Sequence, residues 1–343
     1  MAAKNPKPKI TMQDIADALG LSRNTVSKAF NAHESVPEKT RTLIFEKAKA
    51  LGYPGVPAAR GGHAAANLAL LTHNMPNQSH YGAGFLSAFT RRIAEEGYTL
   101  TFHIVSDANI AACALPPNLA AENVDGILAI ELFDRKYCDF LCALGKPVLF
   151  SDIYARADYA SLGADVILME SRASVCTLTT GLIGRGAKAI GFVGDKSHCN
   201  SFYERWCGYR LALNRAKLPI EKGLCILEQD SDLYGSSTWI AEQLRKMPRR
   251  PDAFVCANDY IAITLMKALR KLDLDVPRDI MVAGFDDSPE AKVVEPHLTT
   301  VRIPSEGMGL IGAQTLLERM KAPDLPYRST CVQCCLKWRD TTR

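Results

Sequence analysis

Residues 22–28 have the composition of a surface that reads nucleic-acid bases. Apart from Val26, the segment consists of hydroxyl side chains and longer hydrogen-bond donors, namely Ser22, Arg23, Asn24, Thr25, Ser27 and Lys28. Arginine can donate two parallel hydrogen bonds to guanine, and asparagine can pair with adenine, in the major groove of DNA. Hydroxyls and the N–H groups at a helix start can hold phosphates. The segment therefore predicts contact with both the bases and the backbone of a duplex.

Three short helical patterns would position these side chains. Thr11 and Asp14 resemble a capping box before a helix over 12–19. A second helix is expected over 23–30 and a third over 37–51. Two helices joined by a three-residue turn, the second with a polar outer face, match helix-turn-helix geometry. The alternative is an ordinary three-helix bundle whose polar face is simply solvated.

The charge distribution favours DNA binding over that alternative. Residues 1–60 contain ten Lys or Arg and five Asp or Glu, a net charge of +5, whereas the rest of the chain carries −1. No acidic residue lies between Asp17 and Glu34. A basic head on a near-neutral body indicates a polyanionic partner for the head alone. A basic tail that only improves solubility is the second interpretation of the charge.

The composition describes a folded, non-membrane protein of two or three domains. The chain has 343 residues, of which 47% are hydrophobic and 23% charged, which is close to the globular average. No apolar run reaches the roughly 18–20 residues that span a bilayer. The basic N-terminus leads into no apolar segment of a signal peptide. We therefore expect a cytoplasmic protein.

The eleven cysteines indicate reduced thiols rather than a disulfide framework or a metal site. Cys331, Cys334 and Cys335 form the densest group, within a segment, Thr330–Trp338, that reads as one strand. Positions 331 and 334 would then point to opposite faces. A second pair that could complete a zinc site is missing from the sequence. We expect neither a metal nor a cofactor.

Residues 67–343 alternate short apolar runs with amphipathic helical segments. This alternation predicts parallel sheets with helices on both faces, and its restart after Ser161 predicts two similar Rossmann-like subdomains. Gly184-x-Gly186-x-x-Ala189 has the letters of a dinucleotide fingerprint, but it closes a helix, so we interpret it as a turn. No catalytic motif or spacing is present, and we predict no catalytic residues.

Polar residues follow the ends of several predicted strands. Asp152, Asn258-Asp259 and Asp286-Asp287 each come directly after an apolar run, and Arg205 lies in a helical segment. Ligands bind beyond the carboxyl ends of such strands, and carboxylate, amide and guanidinium groups suit sugar hydroxyls. A helix cap or a surface ion pair is the alternative for each residue, and for Asp259 and Asp287 the two interpretations are equally favoured.

Segments throughout the chain resemble the LacI family of bacterial transcriptional regulators. Near the N-terminus they are Thr11–Ala16, Gly20–Ser22, Thr25–Ser27, Asn31, Val36–Arg41 and Leu51–Tyr53. In the body they are Gly208–Arg210, Ala257–Asp259, Val276–Pro277, Val282–Asp287, Leu298–Val301 and Gly307–Gly309. The resemblance implies a small all-α helix-turn-helix headpiece followed by an α/β periplasmic-binding-protein-like body of two Rossmann-like subdomains.

The resemblance also implies two sets of contact residues. The DNA-binding set is Thr11, Met12, Ser22, Arg23, Asn24, Thr25, Ser27, Lys28, Asn31 and Arg60. The effector-binding set is Ser79, Tyr81, Asp152, Glu170, Arg205, Asn258 and Asp286. Glu170 departs from the family, which often has Asp-Asn where this chain has Glu170-Ser171.

The expected domains are a headpiece over 1–52, a linker over 53–66 and an effector-binding and dimerisation domain over 67–343. The N-subdomain would comprise 67–166 and 298–327, and the C-subdomain 167–297 and 328–343. The crossovers between them are expected near 165–169, 295–299 and 326–330. In the family the linker forms a hinge helix whose leucine enters the minor groove. Here Gly62 takes the leucine position next to Gly61, so we expect a flexible, poorly helical linker and weaker DNA bending.

The favoured interpretation is a homodimeric DNA-binding regulator, a repressor whose operator affinity depends on a small carbohydrate-like effector. A dimer is expected because the C-terminus lacks the apolar heptads of a tetramerising coiled coil and because two heads suit a palindromic operator. The alternatives are a solute-binding protein of the periplasmic type, an enzyme on the same α/β scaffold, and a regulator triggered by a protein partner or a corepressor.

Overall fold

The computed structural model describes residues 10–31, 36–51, 53, 66–73, 82–229 and 231–342. They form two compact units, which lie within Met1–Ala64 and Ala65–Arg343. The expected linker lies outside the described residues except for Tyr53 and Ala66, so Arg60 and the Gly61-Gly62 pair are not described.

The first unit contains the three expected helices, which are α1 (Met12–Leu19), α2 (Arg23–Asn31) and α3 (Glu38–Leu51). The capping box at Thr11 and Asp14 is present, and Gly20, at φ +65°, ends α1 in the left-handed conformation. Apolar residues at helical spacing on the three helices form its core, including the fully buried Ile15, Val26 and Ile44. Local capping and periodicity therefore specify this unit.

The second unit alternates strands and helices in the predicted manner. Its strands are β1 (Asn67–Thr72), β2 (Thr99–Ile104), β3 (Gly126–Ile130), β4 (Val148–Ser151), β5 (Asp165–Met169), β6 (Ile190–Val193), β7 (Ala253–Cys256), β8 (Met281–Ala283), β9 (Thr300–Arg302), β10 (Ser329–Val332) and β11 (Cys335–Lys337). Its α-helices are α4 (Gly82–Glu95), α5 (Asp107–Ala112), α6 (Arg135–Cys142), α7 (Arg172–Gly184), α8 (Asn200–Arg215), α9 (Ser237–Arg245), α10 (Asp259–Arg270) and α11 (Ser305–Lys321).

The strands form two lobes. In the first lobe the order is β10-β5-β4-β3-β1-β2, and every pair is parallel. In the second lobe β6, β7 and β8 form a parallel sheet, and β9 pairs with β11 in antiparallel fashion. The apolar run 224–227 contributes an isolated bridge between Ile226 and Val193 rather than a full strand. The turn interpretation of the glycine motif agrees with the structure, because Gly186 has φ +95° between α7 and β6.

The chain passes between the lobes after β5, between β9 and α11, and between β10 and β11. These positions lie a few residues beyond the expected crossovers and subdomain limits. The expectation for 330–338 as one strand is wrong, because β10 pairs with β5 in the first lobe and β11 pairs with β9 in the second. Pairing partners distant in sequence decide which lobe a short strand joins.

A buried ion pair fixes the return of the chain to the first lobe. Arg319 near the end of α11 donates from Nε to Asp165 Oδ2 at 2.8 Å and from Nη2 to Asp165 Oδ1 at 3.1 Å. Both side chains are almost fully buried. Asp165 also accepts the backbone N–H of Arg328 at 2.8 Å. The bidentate geometry and the extra donor satisfy the buried carboxylate and hold β10 beside β5.

Two glycines on α11 give a matched test of its packing against α4. A methyl group at Gly309 would overlap the backbone carbonyl oxygen of Phe85, whereas at Gly307 the nearest atom, Pro304 Cβ, is 4.0 Å away. We expect Gly309→Ala to lower the free energy of unfolding by about 1–3 kcal/mol, because the helices must separate. Gly307→Ala should raise it by about 0.5–1 kcal/mol, because alanine favours the helix. Denaturant unfolding measures both, and equal effects would contradict the packing argument.

Candidate functional site

Ser22 sets the start of α2, the helix that carries the expected base contacts. Its Oγ accepts the backbone N–H of Thr25 at 3.0 Å and lies 2.8 Å from the Thr25 hydroxyl. Val26 and Ala29 are buried in the headpiece core. The cap and the buried face together determine which side of α2 faces outward.

The outward side carries the polar residues that the sequence predicted. Arg23, Asn24 and Lys28 are exposed, and Ser27 is half-buried. The first turn of α2 contains no acidic residue. These long donors extend from one face of a helix whose N-terminal N–H groups also favour an anion, so the surface can approach the edges of bases and the adjoining phosphates.

Other predicted DNA contacts have a structural role or lie outside the description. The hydroxyl of Thr11 is 2.7 Å from Asp14 Oδ2 within the capping box, and this hydrogen bond lowers the pKa of Asp14. Met12 packs against the headpiece core. Asn31 ends α2, but its side chain is outside the described residues, as is the whole of Arg60.

A cavity of about 250 Å³ lies between the two lobes of the second unit. The first lobe contributes residues that follow β3 and β4, and the second lobe contributes residues around α8, β6, β7 and β8. Four predicted effector contacts, Asp152, Arg205, Asn258 and Asp286, line it. The carboxyl ends of strands from both sheets therefore meet around one space, as expected for this architecture.

Arg205 is the buried basic group of the cavity. Its Nη1 donates to the carbonyl of Ala257 at 2.6 Å, and its Nη2 lies 3.7 Å from Asp286 Oδ1. The guanidinium lies 3.8 Å from the ring centroid of Phe285. Arg205 is 2% exposed, yet its Nε has no hydrogen-bond partner among the described residues. An unsatisfied buried donor is costly, so this N–H suits an acceptor oxygen of a bound molecule.

Asp286 is held in a strained and desolvated position. Its φ of +130° is rarely adopted by residues other than glycine. Burial raises the pKa of Asp286 well above its ordinary value, and the Arg205 charge only partly offsets this. Glu131 and Asp152, which also line the cavity, have φ of +54° and +62°. Strained backbone at the ends of three strands thus places carboxylates at one cavity.

Asp152 connects the two lobes directly. Its Oδ1 accepts the backbone N–H of Ile153 at 2.9 Å and that of Ser201 at 3.2 Å. The backbone N–H of Asn200 also donates to the carbonyl of Ile153 at 2.7 Å. The loop after β4 is therefore joined to the start of α8 by hydrogen bonds across the cavity edge. We call Asp152, Ile153, Asn200 and Ser201 the interlobe latch.

The structure assigns Asp259 and Asp287 to the framework of the second lobe. Asp259 is fully buried and accepts the Thr300 hydroxyl at 2.6 Å and the backbone N–H of Ser288 at 2.9 Å. Asp287 pairs with Arg302 at 2.6 Å and with Arg339. Burial would raise the pKa of Asp287, but the hydrogen bonds from Arg339 and Arg302 lower it overall. Neither carboxylate lines the cavity.

Glu170 is a predicted effector contact that lies outside the interlobe cavity and lines a second cavity with Asn200 and Ser201. Its carboxylate accepts the backbone N–H groups of Ala173 at 2.5 Å and Ser174 at 2.8 Å. It therefore caps α7 and does not line the interlobe cavity. Ser79 and Tyr81 lie outside the described residues.

Sequence comparisons match both units to known families. Residues 11–54 match the model of bacterial regulatory proteins of the lacI family, and residues 179–342 match that of the periplasmic binding protein-like domain. The ribose operon repressor of Haemophilus influenzae is 27% identical over 330 residues, which cover 94% of this chain and 97% of that protein. The chain is therefore similar to a LacI-family repressor over nearly its whole length.

Solved structures show the same fold. A complex of the regulator CelR with cellobiose has a TM-score of 0.70 and 23% identity, covering 97% of this chain and 100% of that one. A lac repressor dimer bound to operator and the anti-inducer ONPF has a TM-score of 0.70 and 21% identity, covering 98% and 99%. The predicted headpiece and two-lobed body are confirmed. The chain is a DNA-binding transcriptional regulator and not an enzyme.

Sequence reasoning missed several residues that line the cavity. Glu131 and Phe133 follow β3, and Asp195 follows β6. Asp232 and Tyr260 also line the cavity. The rule that polar residues follow strand ends could have found Glu131 and Asp195. Asp232 lies in a short 3₁₀ helix over Ser231–Gly235, where no strand end marks it.

Two negative observations apply to the part of the chain that the structure describes. Its helices are too short or too polar to cross a membrane. Its His, Cys, Asp and Glu side chains form no cluster suited to a metal ion.

Asp286 gives the body a testable pH dependence. The folded protein keeps this proton to a higher pH than the unfolded chain does, so the free energy of unfolding should fall as pH rises above the ordinary aspartate range. Between about pH 5 and about pH 8, the free energy of unfolding of the wild type should fall by at least about 1.4 kcal/mol more than that of Asp286→Asn. This difference corresponds to a pKa shift of one unit. Denaturant unfolding at each pH measures the difference.

A control separates this effect from general titration. Asp139 is an exposed aspartate on α6, and Asp139→Asn should keep the pH slope of the wild type. Asp259, whose pKa burial also raises, interacts electrostatically with Asp286, so the difference between the wild type and Asp286→Asn includes this interaction. Identical slopes for the wild type and Asp286→Asn would show that Asp286 keeps an ordinary pKa.

Proposed function

We propose that this protein is a homodimeric repressor whose operator affinity is set by a small carbohydrate-like effector bound between the lobes. In this proposal Arg23, Asn24 and Lys28 contact bases, while Ser22, Thr25 and Ser27 contact phosphates or base edges. The effector contacts are Arg205, Asn258 and Asp286. Asp152 acts through the interlobe latch.

The observation that carries the effector proposal is the unpartnered Nε of Arg205. It belongs to a buried cation that lines a cavity, beside the carboxylate of Asp286 and the amide of Asn258. The Oδ1 of Asn258 accepts the backbone N–H of Ile261 at 2.9 Å as the cap of α10, so its amide nitrogen is the group that can donate. Directional donors and an acceptor around one space suit a hydroxylated ligand.

The names of two similar proteins support this ligand class. One is the ribose operon repressor, and the other was solved in complex with cellobiose. Carbohydrates satisfy guanidinium, amide and carboxylate groups at once, because each hydroxyl both donates and accepts. The strand-end geometry and these similarities thus favour the same class.

The cavity position supports a mechanism of control. Glu131 and Asp152 come from the first lobe, whereas Arg205, Asn258 and Asp286 come from the second. The two lobes can adopt more than one relative arrangement. A ligand that contacts both lobes changes the free-energy difference between two such arrangements by the difference in its binding free energy for them. Couplings of this kind amount to about 1–3 kcal/mol. Whether the ligand weakens or strengthens DNA binding depends on which arrangement spaces the two heads correctly.

A dimer surface is suggested by β2, the edge strand of the first sheet. Phe102 is 46% exposed and Ile104 is 47% exposed, and both lie on one face of the strand. An exposed apolar edge strand favours association with another chain. A second copy bound there would give the pair of heads that a palindromic operator requires.

The DNA-binding proposal is tested with full-length protein and a pool of random duplexes. We expect selection of a near-palindromic site, and Lys28→Ala should weaken binding to that site by about tenfold or more, since each good base contact contributes about 1–3 kcal/mol. Lys47→Ala, which removes a lysine from α3, is the matched control. It should change the preference for the selected site over other duplexes little. A carbohydrate panel added to the complex should shift operator affinity about 5–150-fold.

The outcomes discriminate between the alternatives. Release by a ligand identifies an inducer, and tighter binding identifies a corepressor. A stable, ligand-binding body without any selected DNA site would contradict the regulator proposal and favour a solute-binding protein.

The dimer proposal is tested by Ile104→Glu. Because Ile104 is already half exposed, the free energy of unfolding should change by less than about 0.5 kcal/mol, while sedimentation should shift to a monomer and operator affinity should fall. Leu325, which is 50% exposed, provides the control substitution Leu325→Glu, which should remain dimeric. A dimeric Ile104→Glu protein with normal operator affinity would exclude β2 as the interface.

A further inference from the structure

A second cavity, of about 180 Å³, lies where β5 leads into α7 and where α8 begins. The first lobe contributes Tyr159 to its wall, and the second lobe contributes Ser171 and Glu204. Ser201 lines both this cavity and the effector cavity around Arg205. The second cavity therefore lies between the same two lobes as the effector cavity, and the interlobe latch borders both.

Ser171 has a buried hydroxyl that the adjoining helix does not use. It occupies the N-cap position of α7, where a serine ordinarily accepts a backbone N–H of the first turn, but its side chain makes no capping bond. Glu170 instead accepts the backbone N–H groups of Ala173 and Ser174. Ser171 is 3% exposed, and its Oγ has no hydrogen-bond partner among the described residues. Because an unsatisfied buried hydroxyl is costly, this group suits a molecule bound in the cavity that it lines.

Tyr159 and Glu204 supply a donor and an acceptor to the same space. Burial raises the pKa of the Tyr159 hydroxyl, and the amide of Asn200 lowers it only in part, so this hydroxyl keeps its proton and can donate. Glu204 is half-buried. Burial raises the pKa of its carboxyl group, and the charge of Arg172 lowers it in part. The carboxyl oxygens of Glu204 can accept hydrogen bonds from a ligand, so the cavity offers both kinds of group.

The charged side chains that line the second cavity among the described residues are already compensated. Glu204 interacts with the guanidinium of Arg172. Glu170 accepts two N–H groups at the positive end of α7. A charged ligand would therefore lose hydration without meeting a free counter-charge. Leu168 and Met169 of β5 also line the cavity and suit C–H groups, so these properties favour a neutral molecule that carries several hydroxyl groups.

We infer that the second cavity is a binding site for a short neutral polyol. The polyol would accept a hydrogen bond from Tyr159, share one with Ser171 and donate one to Glu204, while its carbon atoms contact Leu168 and Met169. A volume of about 180 Å³ equals about six water molecules at about 30 Å³ each, which suits a chain of a few carbon atoms. The inference goes beyond the proposed effector function and does not depend on it, because these five residues do not line the effector cavity.

Glycerol and erythritol are the probes, and each is compared with charged relatives of similar size. Ligand-observed NMR titration of the full-length protein measures the affinities. Thermal shifts would not report a site, because polyols stabilise folded proteins in general. We expect saturable binding of at least one of the two polyols. Glycerate and erythronate, which carry a carboxylate, and serinol, which carries an ammonium group, should bind about fivefold or more weakly, because their charges must be desolvated in a cavity that is already compensated.

Substitutions at the cavity locate the bound polyol. Ser171→Ala should weaken polyol binding about fivefold, since a neutral hydrogen bond contributes about 1 kcal/mol. Glu204→Gln should weaken it by a smaller factor, because an amide oxygen accepts less strongly than a carboxylate. The matched controls are Ser329→Ala, at an exposed position on β10, and Glu242→Gln, at an exposed position on α9, and both should keep the affinity of the wild type. Denaturant unfolding verifies that each variant is folded.

Weaker polyol binding by both cavity variants, with unchanged binding by both controls, supports the inference. Equal polyol affinity for the wild type and Ser171→Ala places the bound molecule elsewhere, including in the effector cavity, and overturns it. A charged relative that binds as tightly as its polyol overturns the neutral ligand class. If neither polyol binds saturably, water alone fills the cavity and the inference is wrong. Operator affinity does not enter these measurements, so a failure of the proposed effector control would leave them unchanged.

Discussion

The structure of the body depends on how one buried cation is accommodated. Arg205 is almost fully buried, and a guanidinium in that position must find acceptors and a counter-charge. Ala257, after β7, supplies a carbonyl, and Asp286, after β8, supplies the carboxylate. The ring of Phe285 covers its face. The same contacts that stabilise Arg205 therefore hold the ends of β7 and β8 beside α8, at the cavity that those ends surround.

Acidic residues after strands have three different roles in this fold. Asp286 lies beside Arg205, Asp152 joins the lobes, and Asp259 and Asp287 hold the return of β9 and the C-terminal segment in the second lobe. The sequence could place all four at strand ends, because apolar runs mark those ends clearly. It could not assign their roles, since their partners include Ser201, Thr300 and Arg339, which are 41 to 52 residues away in the chain. For this reason the sequence favours a ligand contact and a structural role equally for Asp259 and Asp287.

Local signals explain what could be predicted. Thr11 with Asp14, Gly20 and Ser22 act within three or four residues, so the headpiece helices and the orientation of α2 follow from the sequence. Lobe boundaries were less accurate, because β5 and β10 join the first sheet through partners far along the chain. Glu170 illustrates the same limit at a single residue: a position in a family pattern suggested a ligand contact, whereas the local geometry makes it the cap of α7.

The interlobe latch determines what a ligand in the cavity must overcome. Asp152 and Ile153 on the first lobe already bind the N-terminus of α8 on the second, and Arg205 lies on the same helix. A ligand that contacts both Glu131 and Arg205 would therefore join the same two lobes that the latch joins. If the ligand fits the latched arrangement, its binding adds to the latch and stabilises it; if it needs a wider cavity, it must first break those hydrogen bonds. In the proposed control, the ligand's size relative to the latched cavity therefore decides which lobe arrangement it favours, and the sign of regulation follows from how that arrangement spaces the two heads.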